Sequence, residues 1–191
     1  MRIIAGRYRG LSLAPIGPGG GRHALRPTAD RVREAVFNIL CGGRLGPLLE
    51  GARVLDLFAG TGALGLEALS RGATAACFID NGRISVRLIR ENLRRLGAEH
   101  HGCVMLRDAT RLGACQDPAY DLVFLDPPYG KGLGEKALAA AQAGGWISPQ
   151  SLVVWEENRP QHAPAGFTLQ EVRSFGTTCA SFLRRAAAPD P

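Results

Sequence analysis

The sequence lacks the features that mark membrane and secreted proteins. No apolar run approaches the roughly 18 to 20 residues needed to cross a bilayer, and the first residues lack the apolar stretch of a signal peptide. We therefore expect a cytoplasmic protein that does not associate with a membrane. With 191 residues, 46% of them hydrophobic and only 6% aromatic, the chain can bury one α/β core and a small appendage.

Cysteine and histidine are too few and too scattered to indicate a metal site or a disulfide framework. The five cysteines form no Cys-x-x-Cys pair, and their number is odd. The four histidines show no spacing typical of metal ligands. We expect neither metal nor disulfides.

Lysine is also scarce, since only 2 of the 23 basic residues are lysine, and the positive charge is unevenly placed. Residues 1–44 hold eight arginines and two acids, whereas the other 15 basic and 15 acidic residues cancel, so the net charge of +6 lies at the N-terminus. A basic segment beside a neutral body is typical of proteins that contact a phosphate backbone, although a solvated basic tail would look the same. We predict an RNA-binding arm over 1–44, an enzyme domain over 45–185 and a disordered tail over 186–191.

Apolar periodicity and glycine positions predict the order of elements. Residues 2–13 read as a short hairpin, followed by a glycine-rich loop and a helix capped by Thr28 that buries Val32, Ala35, Val36 and Ile39. Beyond residue 52, strands alternate with helices, and the last two strands follow one another directly. The predicted strands are 53–58, 75–80, 103–107, 121–126, 151–156, 167–172 and 178–183, and the predicted helices are 63–71, 83–96 and 135–141. This is a Rossmann-like, doubly wound α/β fold with a mostly parallel seven-stranded sheet, an antiparallel C-terminal strand pair and a small N-terminal hairpin and helix extension.

The glycine turn after the first predicted strand indicates a nucleotide-like cofactor. Residues 60–65, Gly-Thr-Gly-Ala-Leu-Gly, match the G-x-G-x-x-G pattern, so a nicotinamide cofactor is one interpretation. Asp56, just before the turn, would repel a pyrophosphate. The same carboxylate suits the ammonium group of S-adenosylmethionine, directly or through water, and that cofactor fits better.

Acidic residues end four successive predicted strands: Asp56, Asp80, Asp108 and Asp126. Because the carboxyl ends of parallel strands share one edge, we expect these acids to line one crevice, with Asp80 on the ribose hydroxyls and Asp108 near the adenine amino group. Each acid alone would also suit a helix cap or a turn. The predicted cofactor-binding residues are Asp56, Phe58, Ala59, Gly60, Thr61, Gly62, Asp80, Asn81, Asp108, Ala109 and Asp126.

The loop Asp126-Pro127-Pro128-Tyr129 follows the most apolar strand and predicts the substrate site. Its prolines restrict the backbone, so a carboxylate, free carbonyls and an aromatic face are held in fixed places. These groups suit a planar base with an exocyclic amino group, and we predict that all four residues are catalytic. A proline-rich turn after a core strand is the structural alternative.

Longer segments resemble the RsmD family of class I, S-adenosylmethionine-dependent methyltransferases. The resemblance rests on residues 26–38 (RPTADRVREAVFN), residues 58–72 (FAGTGALGLEALSRG) and the late stretch Phe175-Gly176-Thr177-Thr178. It implies methylation of N2 of guanine 966 in 16S ribosomal RNA, within the small subunit or an assembly intermediate. Asp80 is a departure, because many relatives carry Glu there. We expect a monomer.

An RNA substrate defines the remaining expected site residues. Those for RNA are Arg2, Arg7, Arg9, Arg22, Arg26, Thr28, Arg31, Arg33 and Tyr129. In the predicted mechanism, Asp126 and the Pro127 carbonyl accept the amino N–H groups while Tyr129 stacks on the base. A DNA adenine-N6 methyltransferase would share this loop but usually carries a target-recognition region, for which there is no room. A non-catalytic RNA-binding module would need no acid-lined crevice.

Overall fold

A central sheet carries four helices in the computed structural model, which describes residues 1–15, 30–43, 45 and 48–186. The strands are β1 (Arg53–Leu57), β2 (Ala75–Asp80), β3 (Gly102–Leu106), β4 (Tyr120–Leu125), β5 (Ile147–Glu157), β6 (Phe167–Phe175) and β7 (Thr178–Arg185). The helices are α1 (Asp30–Cys41), α2 (Ala63–Ser70), α3 (Arg83–Leu96) and α4 (Leu133–Ala143), with 3-10 turns at Glu99–His101 and Ala109–Arg111. Within these ranges, no helix is both long and apolar enough to cross a bilayer.

The strand order β3-β2-β1-β4-β5-β7-β6 confirms the predicted doubly wound fold. Strands β1 to β5 pair in parallel, and β7 pairs antiparallel with both β5 and β6. The chain runs outward from β1 to β3 and then returns to β4, so the direction of winding reverses between β1 and β4. Ligands bind at the carboxyl ends of the strands beside such a reversal.

The two faces of the sheet are covered by different elements. Residues of even number on β1, such as Val54, pack with α1, α2, α3 and the N-terminal segment, and we call this side the arm face. Residues of odd number, such as Leu55, pack with α4 on the other side. This alternation follows from the two-residue period of a strand. The same alternation determines the face of the sheet to which each acidic side chain at a strand end points.

The observed ends of the strands and of helices α2 to α4 lie within three residues of the predicted ones, except at the start of β5. The predicted bounds of β2 and α3 match the structure residue for residue. Strand β5 begins four residues earlier than predicted, because Ile147 already pairs with Tyr120 before the register shifts between Tyr120 and Leu122. Gln150, in the intervening stretch, has a φ of 64°. Sequence periodicity alone does not anticipate such a bulge.

Helix α1 is rotated by about one residue relative to the predicted orientation. Its buried residues are Arg33, Val36, Phe37 and Leu40. Of the predicted set, only Val36 is fully buried; Val32, Ala35 and Ile39 are partly exposed. The reason is an ionic contact that hydrophobicity does not reveal: the Arg33 side chain turns inward and faces Glu67 of α2.

The N-terminal segment is a turn-rich strap with hairpin connectivity. A single antiparallel bridge joins Arg2 and Ser12, and the Ile3 amide donates to the Leu11 carbonyl at 2.9 Å. Ile3 and Leu13 are buried in the core of the arm face. The predicted glycine-rich loop, the Thr28 cap and the tail beyond Ala186 lie outside the described residues.

Candidate active site

Three loops emerge side by side at the carboxyl edge of the sheet. Leu57 of β1 is paired with Ile79 of β2 on one side and with Leu125 of β4 on the other. The glycine turn, the loop after Asp80 and the Asp-Pro-Pro-Tyr loop therefore start at the same level. The structure thus brings the predicted cofactor and substrate loops to one crevice.

The glycine turn reverses the chain between β1 and α2 within a few residues. Phe58 has a φ of 61° and Gly62 a φ of 78°, and the Gly62 amide donates to the Ala59 carbonyl at 2.7 Å. A left-handed backbone at a bulky residue such as Phe58 is uncommon and costs about 1 kcal/mol or more. This strained turn directs the first turn of α2 toward the crevice.

Asp80 links the glycine turn to the start of α3. Its Oδ2 accepts the Gly60 amide at 2.9 Å, and its Oδ1 accepts the Gly82 amide at 2.7 Å. The side chain is half-buried. Since each carboxylate oxygen has a second lone pair, Asp80 can still accept two ribose hydroxyls while it holds both loops.

Asp56 is buried, although its predicted pairing with an ammonium group led us to expect a side chain exposed to the crevice. It is 2% exposed, and its Oδ2 accepts the Gly65 amide at 3.0 Å. Burial raises the pKa of this carboxyl well above its ordinary value; the Gly65 amide opposes that shift, and nearby Asp126 and Asp80 add to it. A cation in the crevice would favour the charged form of Asp56, so the site suits a positively charged ligand.

Asp108 and its neighbours lie at the β3 end of the crevice edge. Asp108 is exposed and its Oδ1 accepts both the amide and the hydroxyl of Thr110, each at 2.8 Å. These hydrogen bonds lower its pKa. Asn81 is exposed and Ala109 is buried. Asp108 is thus the cap of a 3-10 turn, and its contact with adenine stays a prediction.

The Asp-Pro-Pro-Tyr loop is held from two neighbouring strands. The Gly130 amide donates to Glu157 Oε1 of β5 at 2.8 Å, and the Tyr129 hydroxyl lies 3.5 Å from Thr178 Oγ1 of β7. Asp126 and Tyr129 are half-buried, Pro127 is buried and Pro128 is exposed. Glu157 and Thr178 are positioning residues that the sequence analysis did not assign, although Thr178 belongs to the late stretch of the family resemblance.

Glu156 is a further buried acid that sequence reasoning missed. It is 1% exposed, and its Oε1 has no hydrogen-bond partner among the described residues. Burial raises its pKa well above the ordinary value, with further contributions from Asp126 and Asp56 and an opposing one from Arg33. We call Asp56, Asp126 and Glu156 the acid cluster. Glu156 is the second-last residue of an apolar strand, as Asp56 is, so the signal was present in the sequence.

The residues predicted to bind RNA differ in their exposure to solvent. Arg2, Arg7, Arg9 and Arg31 are exposed, whereas Arg22, Arg26 and Thr28 lie outside the described residues. Arg33 does not fit the prediction: its side chain is 0% exposed, and its Nη2 donates to the Arg2 carbonyl at 2.5 Å and to Asp30 Oδ1 at 3.1 Å. Arg33 therefore has a structural role.

A concave pocket at the opposite edge of the sheet is separate from this site. It lies near the amino ends of β1 and β4, and its lining includes Glu50, Asp121, Ser151 and Arg184. None of the predicted site residues lines it. The chemistry of the crevice therefore does not extend to this pocket.

Comparison with known proteins gives relatives along nearly the whole chain. The family model described as "Conserved hypothetical protein 95" matches residues 1–184. "Ribosomal RNA small subunit methyltransferase D" of Escherichia coli is 37% identical over 191 residues, covering 98% of this chain and 91% of the relative. The protein of the same name from Haemophilus influenzae is 33% identical over 181 residues, covering 92% and 89%.

A solved structure supports the same relationship. The protein yhhF from Escherichia coli superimposes with a TM-score of 0.81 and 35% identity, covering 98% of this chain and 99% of that one. Both the fold and the sequence therefore agree over the crevice and the N-terminal segment. The chain belongs to the Conserved hypothetical protein 95 family, which is the RsmD family of methyltransferases indicated by its motifs.

Proposed function

We propose that this protein methylates the exocyclic N2 amino group of guanine 966 in 16S ribosomal RNA, with S-adenosylmethionine as the methyl donor. The observation that carries the proposal is the Asp-Pro-Pro-Tyr loop, which two strands hold at the carboxyl edge beside the glycine turn. The names of the relatives support ribosomal RNA of the small subunit as the substrate class. The guanine and its N2 atom rest on the family resemblance.

The residues present fit S-adenosylmethionine. Asp80 has lone pairs for the ribose hydroxyls, and the buried Asp56 favours a cation in the crevice. Phe58, Ala59, Gly60, Thr61 and Gly62 bring backbone to the crevice edge, and Asn81, Asp108 and Ala109 complete the proposed adenosine side. When bound, the cofactor supplies a methyl group already activated by its positively charged sulfur, so no metal is required.

The substrate loop would orient the amino group for transfer. The lone pair of a guanine N2 is delocalised into the ring, so a productive geometry must redirect it. Asp126 and the Pro127 carbonyl would each accept one N–H, and the Tyr129 ring would stack on the base. Pro128 keeps the loop rigid. After transfer the amino group loses one proton, to Asp126 or to water.

The exposed arginines of the N-terminal segment would contact the RNA backbone. Arg2, Arg7, Arg9 and Arg31 face solvent in the structure, and Arg22, Arg26 and Thr28 are proposed for the same role from the sequence. The enzyme would act as a cytoplasmic monomer on the small subunit or an assembly intermediate. The N-terminal segment would then form an RNA-binding part and residues 45–185 the methyltransferase part.

Nucleoside analysis of small-subunit RNA tests the proposal. RNA from a strain that lacks the gene should be missing N2-methylguanosine at position 966, and the returned gene should restore it. Asp126→Ala should not restore it, whereas Asp117→Ala, a change of an exposed acid in the loop before β4, should do so.

Assays with the purified proteins complete the test. Asp126→Ala should bind S-adenosylmethionine within about tenfold of the unmodified protein while its rate falls by on the order of a hundredfold or more. Methylation of DNA adenine instead of the RNA, or a normal rate in folded Asp126→Ala, would refute the assignment.

A further inference from the structure

The solvent face of α3 carries a row of arginines outside the predicted N-terminal arm. We propose that Arg83, Arg87, Arg90 and Arg94, here named the α3 stripe, form a second surface that binds the phosphate backbone of the substrate RNA. This inference rests on the proposed function and extends it to an element that neither the sequence motifs nor the crevice assigned.

The stripe has the geometry of a single helix face. Successive members are separated by four, three and four residues, which places all four within an arc of about 60° at 3.6 residues per turn. From Arg83 to Arg94 the row is about 16 Å long. All four residues are exposed, while the opposite side of α3 buries Val86, Ile89, Leu93 and Leu96. The stripe is thus directed at solvent along the whole helix.

The charges on this face are not balanced by the protein itself. Helix α3 contains five arginines and a single acid, Glu91, which pairs with the fifth arginine, Arg95, at 2.6 Å. Within the described part of the chain, none of the four stripe residues makes a salt bridge. Arg90 donates one long hydrogen bond, from its Nη2 to the Val104 carbonyl at 3.4 Å.

Such a row works against the stability of the helix. Like charges three or four residues apart repel one another on a helix surface, and the stripe contains three such neighbouring pairs. Arg83 also occupies the first turn, where the helix dipole disfavours a cation. A bound polyanion would remove both penalties, so the arrangement is suited to a phosphate backbone.

An ordinary solvated helix face is a poorer explanation. The other two amphipathic helices with charged surfaces mix the signs: α1 exposes Asp30, Arg31 and Glu34, and α4 exposes Glu135 and Lys136. The general preference of this chain for arginine over lysine explains the residue type but not the lack of acids. On α3 the one acid, Glu91, pairs with Arg95, so the stripe has no acidic partner within the described part of the chain.

The stripe also starts near the crevice and lies on the same side of the sheet as the N-terminal segment. Helix α3 begins three residues after Asp80, at the carboxyl edge that holds the crevice. The N-terminal segment packs against the same helix, because the Ala14 amide donates to Asn92 Oδ1 at 2.7 Å. The exposed Arg7 and Arg9 belong to that segment. The N-terminal segment and α3 therefore both cover the arm face of the sheet, with Asn92 on the buried side of the helix and the stripe on its solvent side.

Changing the stripe to alanine gives a direct test. In Arg83→Ala/Arg87→Ala/Arg90→Ala/Arg94→Ala, the affinity for small-subunit RNA should fall. The slope of log affinity against log salt should shrink by about 3 units, at roughly 0.7 to 0.9 per phosphate contact. Binding of S-adenosylmethionine should be unchanged. The melting temperature should hold or rise, because alanine favours helix and the repulsion is gone.

A charge-matched pair of variants separates location from net charge. Arg87→Ala/Arg90→Ala should weaken RNA binding, whereas Lys136→Ala/Arg173→Ala, on α4 and the edge strand β6, should leave it nearly unchanged. Equal effects of the two double variants would overturn the proposal, as would an unchanged salt slope in the quadruple variant. Methylation by the unmodified protein is measured separately, and its absence would refute the proposed function. The RNA-binding measurements would still show whether the α3 stripe binds RNA.

Discussion

At the scale of single residues, Glu156 of the acid cluster should make the stability of the fold depend on pH. Burial raises its pKa in the folded protein, so folding favours the protonated form. The stability gained from this proton is complete below the ordinary pKa of 4.5 and is lost as the pH rises toward the folded-state pKa. Asp56 has a pKa shift of the same sign. The protein should therefore become less stable as the pH rises from about 5 toward neutrality.

Glu156→Gln isolates this contribution, because glutamine keeps the shape of the side chain but cannot ionise. Between about pH 5 and 8 the free energy of unfolding should decline less in the variant than in the unmodified protein. Urea denaturation at a series of pH values measures the difference. Glu135→Gln, at an exposed position on α4, is the control and should follow the unmodified protein. Identical pH profiles for Glu156→Gln and the unmodified protein would show that Glu156 is already ionised in the fold.

Asp80 provides a second test at this scale. Asp80→Ala removes the acceptor of the Gly60 and Gly82 amides as well as the proposed ribose contact. The Michaelis constant for the cofactor should rise by on the order of tenfold or more, with a smaller effect on the maximal rate. Asp80→Glu should retain most of the affinity, since glutamate keeps both carboxylate oxygens for the amides and the ribose. If titration calorimetry finds that Asp80→Ala binds S-adenosylmethionine with unchanged affinity, Asp80 serves only to hold the two loops together.

The sequence identified the acids at the strand ends but not the depth of each one. Asp80 and Asp126 lie half-buried at the crevice edge, while Asp56 is covered by α2. Glu156 and Glu157 are adjacent and point to opposite faces, so one joins the acid cluster and the other holds Gly130. Which acid goes inward depends on strand register, and register is a property of the assembled sheet.

At the scale of elements, Glu67 joins α2 to both α1 and the N-terminal segment. Its carboxylate accepts the Ile4 amide at 2.8 Å, the Ala5 amide at 3.0 Å and Arg71 Nε at 2.7 Å. Arg33 Nε lies 3.8 Å away, and the side chains of both Arg33 and Glu67 are 0% exposed. A buried charge with this many partners is costly to leave unmatched.

Substitutions at the two ends of this contact should differ in cost. Glu67→Ala leaves two amides and Arg71 Nε without their acceptor and removes the negative charge that faces Arg33, and we expect it to destabilise the protein by about 3 to 5 kcal/mol. Arg33→Met should cost less, because Glu67 keeps its other three partners and methionine fills the space. Denaturant unfolding of both variants and of the double variant gives the coupling energy. A larger cost for Arg33→Met would contradict this account.

Element prediction succeeded where one face of an element is apolar and failed where an ionic contact sets the orientation. Helix α3 has a clean apolar face, and both of its ends are at the predicted residues. Helix α1 follows the Arg33–Glu67 contact, and its apolar face turns accordingly. A sequence pattern does not show a partner that is 34 positions distant along the chain.

At the scale of the whole molecule, the N-terminal segment is part of the main core. Ile3 and Leu13 are buried with residues of α1 and α2. A Cβ on Gly6 would lie 1.8 Å from the Ser70 carbonyl oxygen, so the strap approaches α2 too closely for any other residue. The described parts on both sides of the predicted boundary at residue 44 share one core, so this boundary is proposed only as a division of function.

Deleting residues 1–14 and removing only their charge should thus have different outcomes. The deletion exposes apolar core and removes the amides that Glu67 accepts, so the melting transition should drop sharply or disappear. Arg2→Ala/Arg7→Ala/Arg9→Ala should melt near the unmodified protein, because these side chains are exposed, and should bind RNA more weakly. Calorimetry and salt-dependent RNA binding measure the two properties. A stable deletion variant would show that the strap is dispensable for the fold.

The overall topology was predictable because alternating strands and helices leave few arrangements. Short connections and right-handed crossovers place β1 and β4 side by side in the interior of the sheet, and the absence of a helical pattern after β5 predicts the antiparallel end. The packing of the N-terminal strap was not predictable, since its backbone amides bond to side chains that are more than 60 positions away in the sequence.

Those distant contacts bear on how the protein folds during synthesis. The strap is joined to Glu67, Ser70 and Asn92 by hydrogen bonds that span 62 to 78 residues. Contacts of such long range form late, because a large loop must close first, and a growing chain cannot close it before those residues leave the ribosome. The first segment to be made is thus among the last to dock, and until it does so Glu67 stays exposed to water.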